Sequence, residues 1–326
     1  MLDDATNGPT TGRSFTTLTR GLDRDAFAMR LFQKAKRFGV WNPAAIDLTR
    51  DAEQWRDLSP DEQEILLHLS SLFQAGEESV TLDLLPLIGA IAAEGRLEEE
   101  IYLTSFLWEE AKHVEAFDRF FAEVATGARQ NLDRFEGPAY RQIFHEELPN
   151  ALGRLHRDRS PIAQAEASVT YNMIVEGVLA ETGYHAYHQI LVEHGIMPGM
   201  QEVVGHLKSD EARHLAYGVF LLSRLVAEHG DEVWEAIESR MSSLLPAAIG
   251  VVHETFEPYP EPPFGLSVDT FVEIAMAQFR RRFERIAKAR TQSLEDVLGH
   301  KATVEDDPVA RTTGDEGATA AAGAGA

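Results

Sequence analysis

Two short segments of the sequence repeat one pattern, and this pattern constrains the fold more than any other feature. Residues 109–113 read EEAKH and residues 210–214 read DEARH, so each has an acidic residue, Glu, Ala, a basic residue and His. On an α-helix, the Glu and the His of each segment lie on the same face, one turn apart. Each pair can therefore approach the same metal ion. The four candidate ligands are Glu110, His113, Glu211 and His214.

The two segments belong to a larger internal repeat. Glu77 lies 33 residues before Glu110, and Glu176 lies 35 residues before Glu211, so a helix with a single glutamate is predicted before each motif. Four helices that supply Glu, Glu-x-x-His, Glu and Glu-x-x-His build the dinuclear carboxylate site of ferritin-like bundles. The sequence therefore predicts an all-α fold, a ferritin-like four-helix bundle with additional helices, around a pair of metal ions.

The positions of the lone glutamates agree with this prediction. Glu77 lies on the apolar face of its predicted helix, whereas Glu78 falls off that face and is expected to be solvated. Glu176 shares a face with Met173 and Ala180. A buried carboxylate is costly unless it is paired or bound to a metal. An ion pair with Arg or Lys would explain one such glutamate, but four matching positions favour the metal.

Apolar residues recur at three- and four-residue spacing over most of the chain, which is typical of helices. Residues 59–62, SPDE, have the form of a capping box at a helix start, and Pro86 is expected to kink or split that helix before Gly95 ends it. The proline-rich span 256–266 is predicted to be a loop. Further helices are expected near 24–38, 97–124, 137–150, 161–194, 199–229, 231–255 and 267–292.

The chain is expected to hold one globular domain with flexible ends. We predict a flexible N-terminus over residues 1–20 and a ferritin-like di-metal carboxylate domain over residues 21–300. Residues 301–326 are polar and finish in the low-complexity run ATAAAGAGA, so we expect a disordered tail.

The composition limits the chemistry and the partners. The chain has no cysteine, which excludes disulfides, iron–sulfur clusters and cysteine nucleophiles. A metal must then have oxygen and nitrogen ligands, which suit manganese, iron, or zinc with histidine. The formal net charge of −23 argues against nucleic acid and anionic membranes as partners. Because no apolar run spans a bilayer and no signal region is present, we expect a cytoplasmic protein without integral membrane association.

At these residues the sequence resembles the small subunit of class I ribonucleotide reductase. It is more similar still to the ribonucleotide-reductase-small-subunit-like ligand-binding oxidases, over about residues 60–290. The ligand pattern alone is shared by many di-metal carboxylate proteins, and the pairing of Val80 with Tyr171 is more specific. The resemblance rests on Gln74-x-x-Glu77-x-x-Val80, Trp108-Glu109-Glu110-Ala111-Lys112-His113, Tyr171-x-x-x-x-Glu176 and Asp210-Glu211-Ala212-Arg213-His214.

The resemblance implies a dioxygen-activating oxidase with one manganese and one iron ion, although the same ligands also suit two irons. Reaction with dioxygen would join Val80 Cβ to the phenolic oxygen of Tyr171 as an ether cross-link. A long-chain fatty acid would bind with its carboxylate on the metals and its tail in an apolar tunnel. Glu77, Glu110 and His113 would hold manganese, Glu176, Glu211 and His214 would hold iron, and Glu110 would bridge them.

Three further residues near the predicted ligands have more than one explanation. Tyr184 is a candidate neighbour of the metals, with core packing as the commoner role of such a tyrosine. His185 and His188 could support the ligands, but such residues are more often core or surface histidines.

Two alternatives stay open. A manganese–iron ribonucleotide reductase small subunit also has Glu in the place of Glu77, and Phe in the place of Phe117, where the common subunit carries its radical on Tyr. That reading requires a docking tail with apolar anchors, which residues 318–326 do not supply. The second alternative is metal storage in a ferritin-like shell, which the extra helices around 231–292 disfavour. Both resembling families are dimeric, so a homodimer is expected.

Overall fold

The computed structural model describes residues 15–299 of the chain. The expected disordered tail and the first fourteen residues lie outside this range. Within it, helices alternate with short turns and loops and no strand occurs, which confirms the all-α prediction. None of the helices in residues 15–299 is both long enough and apolar enough to cross a bilayer.

Fourteen α-helices occur in this range, with several short 3₁₀ turns and wider π-helical stretches between them. The α-helices are α1 (Thr16–Thr19), α2 (Phe27–Phe38), α3 (Thr49–Asp57), α4 (Pro60–Asp83), α5 (Leu85–Ala93), α6 (Leu97–Arg119), α7 (Pro138–Arg141), α8 (Leu148–Arg154), α9 (Pro161–Ser168), α10 (Glu181–Tyr187), α11 (Pro198–His229), α12 (Asp231–Phe256), α13 (Val268–Ala287) and α14 (Leu294–Gly299). The π-helical stretches are Phe120–Val124, Gln142–Glu147, Val169–Ala180 and His188–Val192, and the 3₁₀ turns are Pro43–Ala45, Leu132–Phe135, Pro263–Gly265 and Lys288–Thr291.

Four long helical segments form the bundle that the repeat predicts. Helix α4 packs against α6, and α11 packs against the π-helical stretch Val169–Ala180 and against α6. This stretch joins α9 to α10, so residues 161–192 form one continuous helical segment. The additional helices α12 and α13 pack across the same stretch, and α2 packs against α6 and α11.

The predicted start and end of α4 are confirmed. The Ser59 side chain accepts a hydrogen bond from Glu62 N, and the Ser59 N–H donates to Glu62 Oε2 at 2.8 Å. Pro86 lies in the first turn of α5, where its missing N–H costs nothing, so the helix is split just before it. Gly95 adopts φ +73°, which separates α5 from α6.

Several elements differ from the prediction, including the short helices α1 and α14, which were not predicted. The helix expected at 137–150 continues to Arg154 and contains the π-helical stretch Gln142–Glu147. Helix α3 was not predicted, because its sequence TRDAEQWRD is mostly polar. Its buried Asp51 accepts hydrogen bonds from Gly199 N and Met200 N, both at 2.9 Å, and thereby caps α11.

Candidate metal centre

All six predicted ligands converge in the core of the bundle, and all are buried. Helix α4 supplies Glu77, the stretch Val169–Ala180 supplies Glu176, and α6 and α11 each supply one Glu-x-x-His pair. They form two groups, and within each group the candidate ligand atoms all lie within 4.8 Å of one another. One group is Glu77, Glu110, His113 and Glu211, and the other is Glu110, Glu176, Glu211 and His214.

Two glutamates belong to both groups. Glu110 was expected to lie between two metal ions, and the structure places Glu211 between the groups as well. The imidazoles face the same space, since His113 Nδ1 lies 3.4 Å from Glu110 Oε2 and 3.5 Å from Glu211 Oε1. His214 Nδ1 lies 3.1 Å from Glu110 Oε1 and 3.5 Å from Glu211 Oε2. The arrangement is therefore that of a dinuclear site with a shared carboxylate pair.

Several ligand atoms lack the partners that buried polar atoms normally have. Glu110 Oε2, Glu176 Oε1, Glu211 Oε2 and His214 Nδ1 are buried without a hydrogen-bond partner. Leaving such atoms unpaired costs roughly 1–3 kcal/mol each. All four point into the shared space, where two divalent cations would bind them. The residues present therefore fit a di-metal site.

The electrostatics of the cluster show the same need for cations. Burial raises the pKa of Glu77 to about 7, and burial with neighbouring carboxylates raises the pKa of Glu211 well above its usual value. Burial would raise the pKa of Glu110 too, but the two neighbouring imidazoles outweigh it and lower that pKa. Without cations, the cluster therefore retains protons that metal ions would displace.

Each motif supports the histidine of the other motif. His113 Nε2 lies 3.3 Å from Asp210 Oδ2, and His214 Nε2 lies 2.9 Å from Glu109 Oε2. A carboxylate on one imidazole nitrogen fixes the ring and leaves the other nitrogen for a metal. Sequence reasoning missed Glu109 and Asp210, although the acidic position repeated in both motifs was a usable signal.

The basic residues of the motifs complete this second layer. Lys112 Nζ donates to Asp210 Oδ2 at 3.0 Å, and Arg213 donates to Glu109 Oε1 at 2.6 Å and also to Asp210. Trp41 Nε1 donates to Asp210 Oδ2 at 2.8 Å. These cations offset the buried carboxylates. Trp41 could not be found from the sequence, because it lies far from both motifs and has no characteristic spacing.

The predicted cross-link partners both lie next to the cluster. Tyr171 Oη donates to Glu110 Oε1 at 2.9 Å, and the side chain is fully buried. Val80 is buried and lines the same cavity as Glu77 and Glu110.

Tyr184 and Phe117 lie in an aromatic group in the core, whereas His185 and His188 are less buried. Tyr184 is buried with its ring 5.2 Å from that of Phe73, and its hydroxyl has no hydrogen-bond partner. Phe117 is fully buried in the same aromatic group, with its ring 5.3 Å from that of Phe73. His185 is half-buried and His188 is exposed, as expected for ordinary core and surface histidines.

An apolar cavity opens beside the carboxylates. Most of the side chains that line it are apolar, as is usual for ligand pockets. Four carboxylates line one part of it, and residues of α4, α7, α10, α12, α13 and three of the π-helical stretches contribute to the rest. The three hydroxyl groups in its wall already donate hydrogen bonds to the backbone. Those of Tyr140, Thr182 and Thr255 donate to backbone carbonyls at 2.6–2.8 Å. The wall therefore presents an apolar surface to a ligand.

Comparison with known proteins gives one family and a consistent set of structures. Residues 28–275 match the family described as ribonucleotide reductase, small chain. An R2-like ligand-binding oxidase with an aerobically reconstituted Mn/Fe cofactor is 37% identical, with a TM-score of 0.81 over 84% of this chain and 97% of that chain. Two single-substitution variants with Mn/Fe cofactors, one reconstituted anaerobically and one aerobically, are each 38% identical with TM-scores of 0.78 over 84% of this chain and 98% of theirs.

Proposed function

We propose a function for this chain on one premise: the chain belongs to the ribonucleotide reductase small-chain family and, within it, to the R2-like ligand-binding oxidases. It is a dioxygen-activating oxidoreductase whose six buried ligands hold one manganese and one iron ion. The observation that carries this proposal is the convergence of these ligands around unpaired oxygen and nitrogen atoms.

The ligands divide between two metal positions. Glu77, Glu110 and His113 would hold manganese, Glu176, Glu211 and His214 would hold iron, and Glu110 would serve both positions. Glu211 lies close enough to His113 to contact the first position as well. The bound metals supply the electrons that reduce dioxygen. The chain's part is to hold the ligands, exclude water and place an oxidisable group nearby.

We further propose that Val80 and Tyr171 are joined in an ether cross-link. The new bond between Val80 Cβ and Tyr171 Oη would replace one C–H and one O–H bond, and dioxygen would accept the two electrons and the two protons that are released. Glu110 already accepts the hydrogen bond of the phenol, so it can take its proton. In the relatives, a glycine and a valine chosen for substitution stand four positions apart, as Gly76 and Val80 do here, which supports the equivalence of these sites.

The ligand of the cavity is, in this proposal, a long-chain fatty acid. Its carboxylate would lie at the metal end, where Glu77, Glu110, Glu176 and Glu211 converge. Its tail would lie against the apolar wall, where burial of each CH₂ contributes about 0.8 kcal/mol. The hydroxyl groups in the wall do not select a polar tail, because each is bonded to the backbone.

The oxidase can be tested by metal loading followed by exposure to air. Protein loaded anaerobically with manganese and iron should bind two metals per chain and consume dioxygen. Glu211→Ala should bind less metal and consume little, whereas Glu78→Ala, on an exposed neighbour of Glu77, should behave like the wild type. A chain that holds two metals and consumes no dioxygen would contradict the proposal.

The small subunit of a manganese–iron ribonucleotide reductase is the second candidate, favoured by the family match itself. It predicts tight binding to a large catalytic subunit and nucleotide reduction by the pair. The apolar cavity at the carboxylates favours the ligand-binding oxidase instead, because a radical-generating subunit does not require a ligand there. A binding assay with a large subunit separates the two.

Metal storage has less support. Among residues 15–299, the two groups that share Glu110 and Glu211 are the only ones with three or more candidate ligands. A limit of two metals per chain is therefore expected.

We also propose that the protein is a cytoplasmic homodimer. Sedimentation of the purified protein would test whether it is a dimer.

A further inference from the structure

A row of buried aromatic rings leads away from the metal centre at His214. The His214 imidazole stacks on Phe106 with ring centres 3.6 Å apart and planes 9° from parallel. The Phe106 ring lies 6.2 Å from that of Tyr102, and Tyr102 lies 5.2 Å from Tyr217. All four side chains are fully buried. The row therefore connects a proposed iron ligand to a tyrosine pair without crossing solvent.

Tyr102 is an unusual residue for this position. Its hydroxyl is buried and has no hydrogen-bond partner, whereas buried tyrosine hydroxyls usually find one. Phenylalanine would fill the same space without an unpaired hydroxyl. A tyrosine ring, unlike that of phenylalanine, is readily oxidised by one electron. Packing alone therefore does not explain why this ring, on the path from His214, is that of a tyrosine.

Tyr217 has what Tyr102 lacks, an acceptor for its proton. Its Oη donates to Glu99 Oε2 at 3.0 Å. Glu99 Oε1 in turn lies 3.5 Å from Arg224 Nε and 3.8 Å from Arg96 Nη1, and Arg96 is 30% exposed. A phenol that can pass its proton to a neighbouring carboxylate loses an electron far more easily than one that cannot. The electron hole is therefore more stable on Tyr217 than on Tyr102.

Apart from Tyr259, whose hydroxyl lies 3.3 Å from His68 Nδ1, the other tyrosines offer no comparable proton acceptor along a path from the metal centre. Among the seven tyrosines of the chain, all within residues 15–299, only Tyr171 and Tyr217 are hydrogen-bonded to a carboxylate. Tyr171 is committed to the proposed cross-link. Tyr187 shares a hydrogen bond with the Ser70 hydroxyl at 2.9 Å, which is a poor proton acceptor. Tyr184, near the ligands, has no partner for its hydroxyl.

We infer that Tyr217, reached through Tyr102, is an accessory redox residue that discharges the oxidised metal centre. The centre gains one electron, Tyr217 becomes a neutral phenoxyl radical, and its phenolic proton moves to Glu99. This step removes an oxidising equivalent when no substrate is available and so protects the ligands. The inference rests on the proposed function, because the oxidant is the metal centre after reaction with dioxygen.

The test is electron paramagnetic resonance of the whole protein. Protein loaded with manganese and iron without oxygen is mixed with air-saturated buffer and frozen after increasing times. We expect a tyrosyl radical signal that narrows when the tyrosines are ring-deuterated. The signal should be absent in Tyr217→Phe and reduced in Tyr102→Phe. It should persist in Tyr187→Phe, the matched control that removes another buried tyrosine hydroxyl.

Two further measurements make every outcome informative. The substitution Tyr217→Phe leaves Glu99 beside Arg224 and Arg96. The metal content and the unfolding temperature of this variant show whether it folds and binds metal normally. A radical that survives in a well-loaded Tyr217→Phe, or disappears instead in Tyr184→Phe, overturns the inference, and so does the absence of any tyrosyl radical. Dioxygen consumption and the Val80–Tyr171 cross-link, measured in the same samples, show separately whether the proposed oxidase has failed.

Discussion

Single side chains next to the ligands control how well this centre holds metal. Asp210 accepts from Lys112, Arg213 and Trp41 and faces His113 Nε2, so one carboxylate orients the imidazole and is itself neutralised. Glu109 does the same for His214 with the help of Arg213. The two motifs are thus joined into one structural unit, because the residue before each ligand glutamate contacts the histidine of the other motif.

This arrangement predicts the effect of Asp210→Asn. The amide keeps the size of the side chain but removes the charge that holds His113 and offsets Lys112 and Arg213. Loss of such a supporting group typically lowers metal affinity by about 10–100-fold. Titration of metal-free protein with manganese and iron measures this change. Glu78→Gln is the control, because it removes an exposed carboxylate next to a ligand. Equal affinities for Asp210→Asn and wild type would contradict the role of Asp210.

The pKa of Glu77 predicts a pH dependence for metal binding. Burial raises this pKa to about 7 in the absence of metal, so Glu77 is protonated below that pH. A metal must then displace the proton, which costs about tenfold in affinity for each pH unit below the pKa. The apparent affinity should therefore rise between pH 6 and 8. A competition titration with a metal indicator at several pH values, corrected for the indicator's own titration, measures it. A flat profile would contradict the shifted pKa.

At the scale of elements, the π-helical stretch Val169–Ala180 explains how Tyr171 reaches the ligands, a position that the family resemblance implied but the spacing of an α-helix did not. In an α-helix, residues five positions apart point in different directions, because a turn has 3.6 residues. The wider turn of a π-helix, with its i→i+5 hydrogen bonds, brings such residues onto one face. Tyr171 and Glu176 are five apart, and Tyr171 reaches the cluster at Glu110. The apolar pattern of this segment predicts a helix but does not distinguish the two turn widths.

The cavity wall on α4 gives a prediction for ligand binding. Gly76 lines the cavity, and a Cβ atom there would lie 3.4 Å from the Phe144 ring. Gly76→Leu therefore adds a side chain that must occupy cavity space, and it should reduce binding of a long-chain fatty acid while two metals still bind. Gly89→Leu on α5 is the control, because a Cβ at Gly89 meets no atom within 4 Å. Fatty acid extracted from each purified protein and quantified by mass spectrometry measures the difference. Full retention by a folded Gly76→Leu would contradict this location.

At the scale of the whole molecule, the repeat predicts the bundle and its ligands because both depend on spacing within helices. The Glu-x-x-His pairs and the lone glutamates all lie in the core. The cavity could not be predicted in this way, since Val251, Phe256 and Phe271 of α12 and α13 close it over α4. Those helices were expected as elements, but their packing is a tertiary property. The same applies to Trp41 and Asp51, which contact distant helices through one and two hydrogen bonds respectively.

The proposed oxidase carries out a two-electron oxidation beside a metal pair in the core. Val80, on the cavity wall, and Tyr171, on Glu110, are the residues at which this oxidation would leave a permanent mark. Peptide mass spectrometry of protein loaded with manganese and iron, before and after exposure to air, is the most direct measurement.

We predict that air produces joined peptides containing Val80 and Tyr171, lighter than their sum by about two hydrogens, the balance of a two-electron oxidation. The same treatment of Tyr171→Phe should leave the peptides separate. Separate, unmodified peptides from wild-type protein with two metals bound would contradict the account.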